Sequence, residues 1–202
     1  MFVVVEGIEG SGKSTLLAGL AARLRGEGRD VVETREPGGT PVGDAVREIF
    51  LNRAVAISAL TESLLVNAAR AQHVSAVIRP ALASGKIVLS DRFTDSTIAY
   101  QGHGRGVDGV VLRALCDIAT GGLEPDLVLL LDLPLTVARS RLNERSRVRD
   151  RIETEDDAFH ERVRRGFLQL AESSRHRVLD ATLPPESLVE SALQEILGMR
   201  VR

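Results

Sequence analysis

The chain has 202 residues, a formal net charge of −2 and 44% hydrophobic residues. That length suits one domain with a sizeable core, and the near-neutral balance excludes a global pull toward nucleic acid or an anionic membrane. A single cysteine, Cys116, excludes an intrachain disulfide and fits a reducing, cytoplasmic setting, and no apolar run approaches the ~20 residues of a membrane span.

The chain opens on Phe2-Val3-Val4-Val5, a run of β-branched and aromatic residues that reads as a short buried strand. Beyond Glu6 it breaks into Gly7-Ile8-Glu9-Gly10-Ser11-Gly12-Lys13-Ser14-Thr15, which fits G-x-x-x-x-G-K-[ST], the phosphate-binding loop. Leu16, Leu17, Leu20 and Leu24 then recur at helical spacing, so strand, loop and helix follow in the required order. Glycines let backbone N–H groups turn toward an anion, the helix N-terminus adds its dipole, Lys13 a mobile charge and Ser14 a hydroxyl for Mg²⁺. The loop predicts a bound triphosphate.

Four further strands are expected at 31–34, 87–90, 127–131 and 178–179, with helices at 59–83, 107–119, 135–142, 156–174 and 185–197. Continuous apolar strands alternating with helices predict a three-layer α/β domain: a five-stranded parallel sheet covered on both faces, with ligands at the strands' carboxyl ends. Cys116 stands among Leu112, Leu115 and Ile118, which reads as a packed thiol rather than a nucleophile.

Three segments fall where a second ligand would sit. "TREPGGT" (Thr34 to Thr40) forces a tight turn and admits a cis Glu36–Pro37 bond; an ordinary turn is the alternative. "SDRF" ends the third strand, where Asp91 could hold Mg²⁺ through water and Arg92 could fork onto a phosphate; elsewhere such a pair is more often a surface ion pair. "NAARAQ" (Asn67 to Gln72) puts Arg70 on one helical face with Asn67 and Val66.

In order, "EGIEGSGKST", "TREPGGT", "AARAQ", "SDRF…DSTIAYQGHGRG", "PDLVLLLDL" and "DRIE" resemble bacterial thymidylate kinases from Phe2 to about Leu197. The resemblance implies a nucleoside monophosphate kinase fold, transfer of the ATP γ-phosphoryl onto dTMP with Mg²⁺, and a homodimer packed through helices near 59–77. It places ATP on residues 7–15. Glu9 and Asp91 organise the metal and acceptor side with Ser14. Arg92 holds the dTMP phosphate, and Arg70 reaches the thymine edge or the phosphate. Glu36, Pro37, Ser96, Thr97 and Gln101 lie along the nucleotide, and Tyr100 crowds out a ribose 2′-hydroxyl.

Two departures accompany it. Eukaryotic members carry an arginine in the phosphate loop where this chain has Gly10, whereas the bacterial pattern supplies charge from a mobile lid. That assigns the arginine-dense stretch 139–151 to a lid at about 143–154, with Arg145, Arg147, Arg149 and Arg151 as catalytic candidates and Arg139 or Arg141 beside the adenine; a solvated basic helix is the alternative. The second departure is Val66, where the family usually stacks a phenylalanine on thymine. Losing that stack is worth ~0.5–1.5 kcal/mol, about 2- to 13-fold in KM.

Overall fold

A computed structural model describes residues 1–144 and 148–199. Five strands, β1 (Phe2–Glu6), β2 (Val31–Arg35), β3 (Ile87–Asp91), β4 (Leu127–Asp132) and β5 (His176–Asp180), pair all-parallel in the order β2-β3-β1-β4-β5. Alternate residues of β1 feed opposite faces. Val3 and Val5 join Leu89, Leu127 and Leu129 on one side, while Phe2 and Val4 join Val88 and Val128 on the other. Both faces are covered, which explains strands without polar alternation.

Helix α1 (Lys13–Gly26) buries Leu16, Leu17, Leu20 and Leu24, the stripe visible in the sequence. The expected helix over 59–83 is one helical stretch in three pieces: α3 (Ala59–His73), a π-helical turn (Val74–Ile78) and α4 (Arg79–Ala83). Ser58 caps α3 by accepting from the Thr61 amide at 3.2 Å. Helices α6 (Gly109–Thr120), α7 (Leu135–Asn143), α8 (Asp157–Leu170) and α9 (Pro185–Gly198) lie within a few residues of expectation.

Two helical segments are additional. Helix α2 (Pro41–Leu51) follows Thr40, whose side chain accepts from the Gly43 amide at 2.9 Å, with Pro41 in the first turn. Helix α5 (Thr94–Thr97) runs into a π-helical segment, Ile98–Gly104. Both border the carboxyl end of the sheet, where β1 lies between β3 and β4 and the strand order reverses. An open α/β sheet leaves its ligand crevice at such a point.

Candidate active site

A cleft with a cavity volume of about 210 Å³, open on one side to solvent, lies at that end of the sheet. One wall is Glu9, Gly10 and 12–15 from the phosphate loop; the other includes Glu36, Pro37, Val66, Arg70, Arg92, Ser96, Thr97, Tyr100 and Gln101. The structure therefore brings together most of the residues the sequence singled out. It adds Arg35, Arg47, Phe50, Leu51, Phe93, Asp150, Ile152 and Glu153.

The loop is built for an anion. Gly10 and Gly12 have φ of +83° and +94°, and a Cβ on Gly12 would meet nothing within 4 Å, so the backbone faces an open concavity. Gly12 begins α1 without a side-chain cap, as an anion-binding helix terminus requires. Lys13 Nζ donates to the Gly7 and Ile8 carbonyls at 3.0 Å each. Burial and the nearby Arg92 push its ammonium down to about 8, against the pull of Asp91, Glu9 and Glu6. A phosphate chain would reverse that shift by supplying the missing counter-charge.

Ser14 Oγ donates to Asp91 Oδ2 at 3.4 Å, and the other oxygen, Oδ1, is buried with no hydrogen-bond partner among the described residues. An orphaned carboxylate oxygen beside a phosphate-loop serine fits a hard divalent cation and its water. Glu9, also expected on the metal and the acceptor side, has Oε1 engaged by Tyr100 and Arg92, while Oε2 is buried without a hydrogen-bond partner among the described residues. Its Oε1 accepts from Tyr100 Oη at 2.6 Å and from Arg92 Nη2 at 2.9 Å, and His160 Nδ1 lies 3.6 Å from Oε2. Burial works against the Glu9 charge, but Arg92 and Lys13 outweigh it and hold the carboxyl below its ordinary value.

Arg92 is the centre of this cluster. At φ +74° it is the one non-glycine among the described residues in the left-handed region, a strain of order 1–3 kcal/mol that the surroundings must impose. They do: its amide donates to Val5 O at 3.0 Å, its carbonyl accepts from Ser90 Oγ at 2.8 Å, and Nη1 donates to Ser96 Oγ at 3.0 Å. Behind it, wholly buried Glu6 accepts from the Phe93 and Ser96 amides at 2.8 and 3.2 Å and from Ser96 Oγ at 2.6 Å. Burial pushes Glu6 up to about 7, against Arg92. Tyr100 is fixed at both ends, its hydroxyl between Glu9 and Arg92 and its ring edge-on to Phe167 at 5.9 Å.

Arg70 is almost entirely buried, and most of its fork is committed. It donates to Glu36 Oε2 at 2.7 Å, Asn67 Oδ1 at 2.8 Å, Thr97 Oγ1 at 3.0 Å and the Phe93 carbonyl at 2.9 Å. Glu36 in turn meets His73 Nδ1 at 2.9 Å, and the Glu36–Pro37 bond is cis. Arg70 thus forms a polar floor under the cleft. Cys116 lies 3.6 Å behind it, a buried thiol that burial pushes up, as its apolar neighbours implied.

The arginine-rich segment divides. Arg145 and Arg147 lie outside the described residues. Arg149 Nη2 donates to Asn143 Oδ1. Arg151 donates to the Phe50 carbonyl at 2.9 Å, pairs with Glu62 at 2.5 Å and lies 5.1 Å over the Phe50 ring. Arg139 is taken up by Asp157 and by the Glu153 and Glu155 carbonyls. Arg141 donates to Ala181 O at 3.0 Å and lines a second hollow with Gly10–Gly12, Thr15, Leu183 and Leu188, continuous with the loop.

Sequence reasoning missed Arg47 and Phe50, both carried on α2. Arg47 Nη1 donates to the Pro37 carbonyl at 3.0 Å, and burial and Arg35 lower its affinity for the proton. The signal was present: Thr40-Pro41 is an N-cap followed by a first-turn proline, with Val42, Val46, Ile49 and Phe50 at helical spacing behind it.

Comparison with known proteins agrees with this geometry. The thymidylate kinase family model matches residues 5–192. Thymidylate kinases from Desulfovibrio desulfuricans (50% identical; 100% of this chain, 99% of the relative), Pseudomonas putida (52%; 98% and 96%) and Deinococcus radiodurans (52%; 93% and 92%) are among its relatives. With the phosphate loop and the acceptor-side arginines facing one cleft, the chain belongs to the thymidylate kinase family.

Proposed function

We propose that this chain transfers the γ-phosphoryl group of ATP to dTMP, giving dTDP, with Mg²⁺ at Ser14 and Asp91. One observation carries the reading: a single cleft lined on one side by Gly10, Gly12 and Lys13 and on the other by Arg70, Arg92, Tyr100 and Gln101. Phosphoryl transfer asks mainly for positioning and positive charge around the moving group. Lys13 and the loop amides hold the donor phosphates, Arg92 and Arg47 face the acceptor phosphate, and Mg²⁺, when bound, neutralises charge between them. The hollow beside Arg141 receives the adenine.

Tyr100, locked between Glu9 and Arg92, presents a rigid ring to the acceptor sugar and leaves no slack for a 2′-hydroxyl. Arg145, Arg147 and Arg149 supply the positive charge that Gly10 does not. Homodimerisation is supported by exposed apolar side chains on neighbouring helices, Leu60 and Leu64 of α3 and Val110, Val111 and Ile118 of α6. A cytoplasmic setting accords with the free thiol. Among the described residues no helix is long and apolar enough to cross a membrane.

A coupled assay with ATP and dTMP, dUMP or the ribonucleotide TMP tests the reading. dTMP should be turned over best and the ribonucleotide least. Acceptor-independent ATP hydrolysis without dTDP, or phosphorylation of deoxythymidine but not dTMP, would overturn it.

A further inference from the structure

Glu62 of α3 is only 1% exposed and does not itself line the cleft, although it holds one residue that does, Gln101. Both its oxygens are taken up by elements far apart in sequence. Oε1 pairs with Arg151 at 2.5 Å and with Arg105 at 3.3 Å; Oε2 accepts from Gln101 Nε2 at 3.1 Å and Arg105 Nε at 3.3 Å. Arg105 also pairs with Glu155 at 2.7 Å and lies 4.6 Å over the Phe159 ring. Two carboxylates and two guanidinia make a balanced, largely dry cluster. The Arg151 charge is therefore neutralised where it stands, and its role differs from that of a free lid arginine.

The chemistry of each partner gives the cluster its meaning. Gln101 lines the acceptor side of the cleft, while Arg151 and Glu155 belong to the segment 148–156, which lines the same cleft through Asp150 and Ile152. Arg151 also grips α2 through the Phe50 carbonyl. One buried carboxylate thus joins the acceptor wall to the arginine-rich segment. We propose that Glu62 is a positioning residue: through Arg151 and Gln101 it couples acceptor binding to docking of the lid segment. The inference rests on the dTMP kinase reading. Leaving a buried pair half-broken strands a charge, so a change at either end propagates rather than relaxing locally.

The test uses the full-length protein. It has no tryptophan, and Val148 is 80% exposed, so Val148→Trp reports the lid segment by fluorescence. dTMP alone should change that signal. Glu62→Gln and Arg151→Gln should each abolish the change and lower kcat by roughly 10- to 100-fold, since a misplacement of about 1 Å can cost 10²-fold. The ATP KM should stay within about twofold, because neither residue touches the loop. Arg151→Gln leaves Glu62 its Arg105 and Gln101 partners, so it remains informative if Glu62→Gln does not fold. The double variant should be no slower than the slower single one.

A merely structural cluster would lower Tm while leaving, at 25 °C, both kcat and the dTMP-dependent signal intact. That result overturns the inference. Absence of dTDP formation by the unsubstituted enzyme would overturn the kinase reading instead, so the two failures are distinguishable.

Discussion

Val66 is the position where packing and recognition can be separated. It is 7% exposed, lines the acceptor cleft, and belongs to one packed cluster with Phe50, Tyr100 and Ile152. A phenylalanine there adds a flat ring worth ~0.5–1.5 kcal/mol against a base, but its extra volume must also be accommodated on the packed side of Val66, where overpacking costs about 1–3 kcal/mol. The crowding outweighs the stacking. Val66→Phe should lower Tm by roughly 2–12 °C, at about 2–4 °C per kcal/mol for a chain of this size, and should raise the dTMP KM rather than lower it. Phe50, a large side chain of the same cluster carried on α2, is the one to trim in compensation. In Val66→Phe/Phe50→Leu the volumes are rebalanced, so Tm should recover, and the dTMP KM should fall to or below the unsubstituted value. Differential scanning calorimetry and the coupled assay, run on both singles and the double, give the cycle. If Val66→Phe changes neither Tm nor dTMP kinetics, Val66 does not pack against the acceptor pocket and the reasoning fails.

Three further outcomes follow from the same geometry. Lys13→Ala should lower kcat by at least ~10²–10³ while leaving dTMP affinity by calorimetry nearly unchanged, since Lys13 serves the donor side where charge develops; an unchanged kcat would remove the phosphate-loop assignment. Among the lid arginines, alanine at one of Arg145, Arg147 or Arg149 should cut kcat by ~10³ or more with little change in either KM, as for an arginine acting on a moving phosphoryl group; near-normal kcat in all three would sink the lid explanation for Gly10. For pH, Glu6 is raised from 4.5 to about 7, so the stability it contributes is complete below pH 4.5 and is lost as pH rises through 7; Lys13 is lowered from 10.5 to about 8, so its contribution is complete above pH 10.5 and is lost as pH falls through 8. Each contribution amounts to about 3 kcal/mol at most. Tm measured against pH should lose its acid-side slope in Glu6→Gln and its alkaline-side slope in Lys13→Met, and slopes unchanged in both would refute the assignment.

The legible parts of this molecule were those in which local chemistry and global role coincide. β1, the phosphate loop and α1 read directly because each residue type has one job there: β-branched side chains between two buried faces, glycines at φ near +90°, a leucine stripe against the sheet. The parallel sheet followed from continuous apolar strands. α2 escaped because its first turn was absorbed into the "EPGG" turn signal, and with it went Arg47 and Phe50. Residues 94–104 escaped because a π-helical segment shifts the periodicity a 3.6-residue pattern detects. Glu9 illustrates a different limit. Spacing put it in the loop, but its partners Tyr100, Arg92 and His160 come from more than 80 residues away, and only tertiary structure brings them to one carboxylate. The same holds for Arg151, which composition grouped with the other lid arginines. Its partners, the Glu62 carboxylate on α3 and the Phe50 carbonyl on α2, lie 89 and 101 residues away, so what engages this arginine is set by tertiary packing that composition does not display.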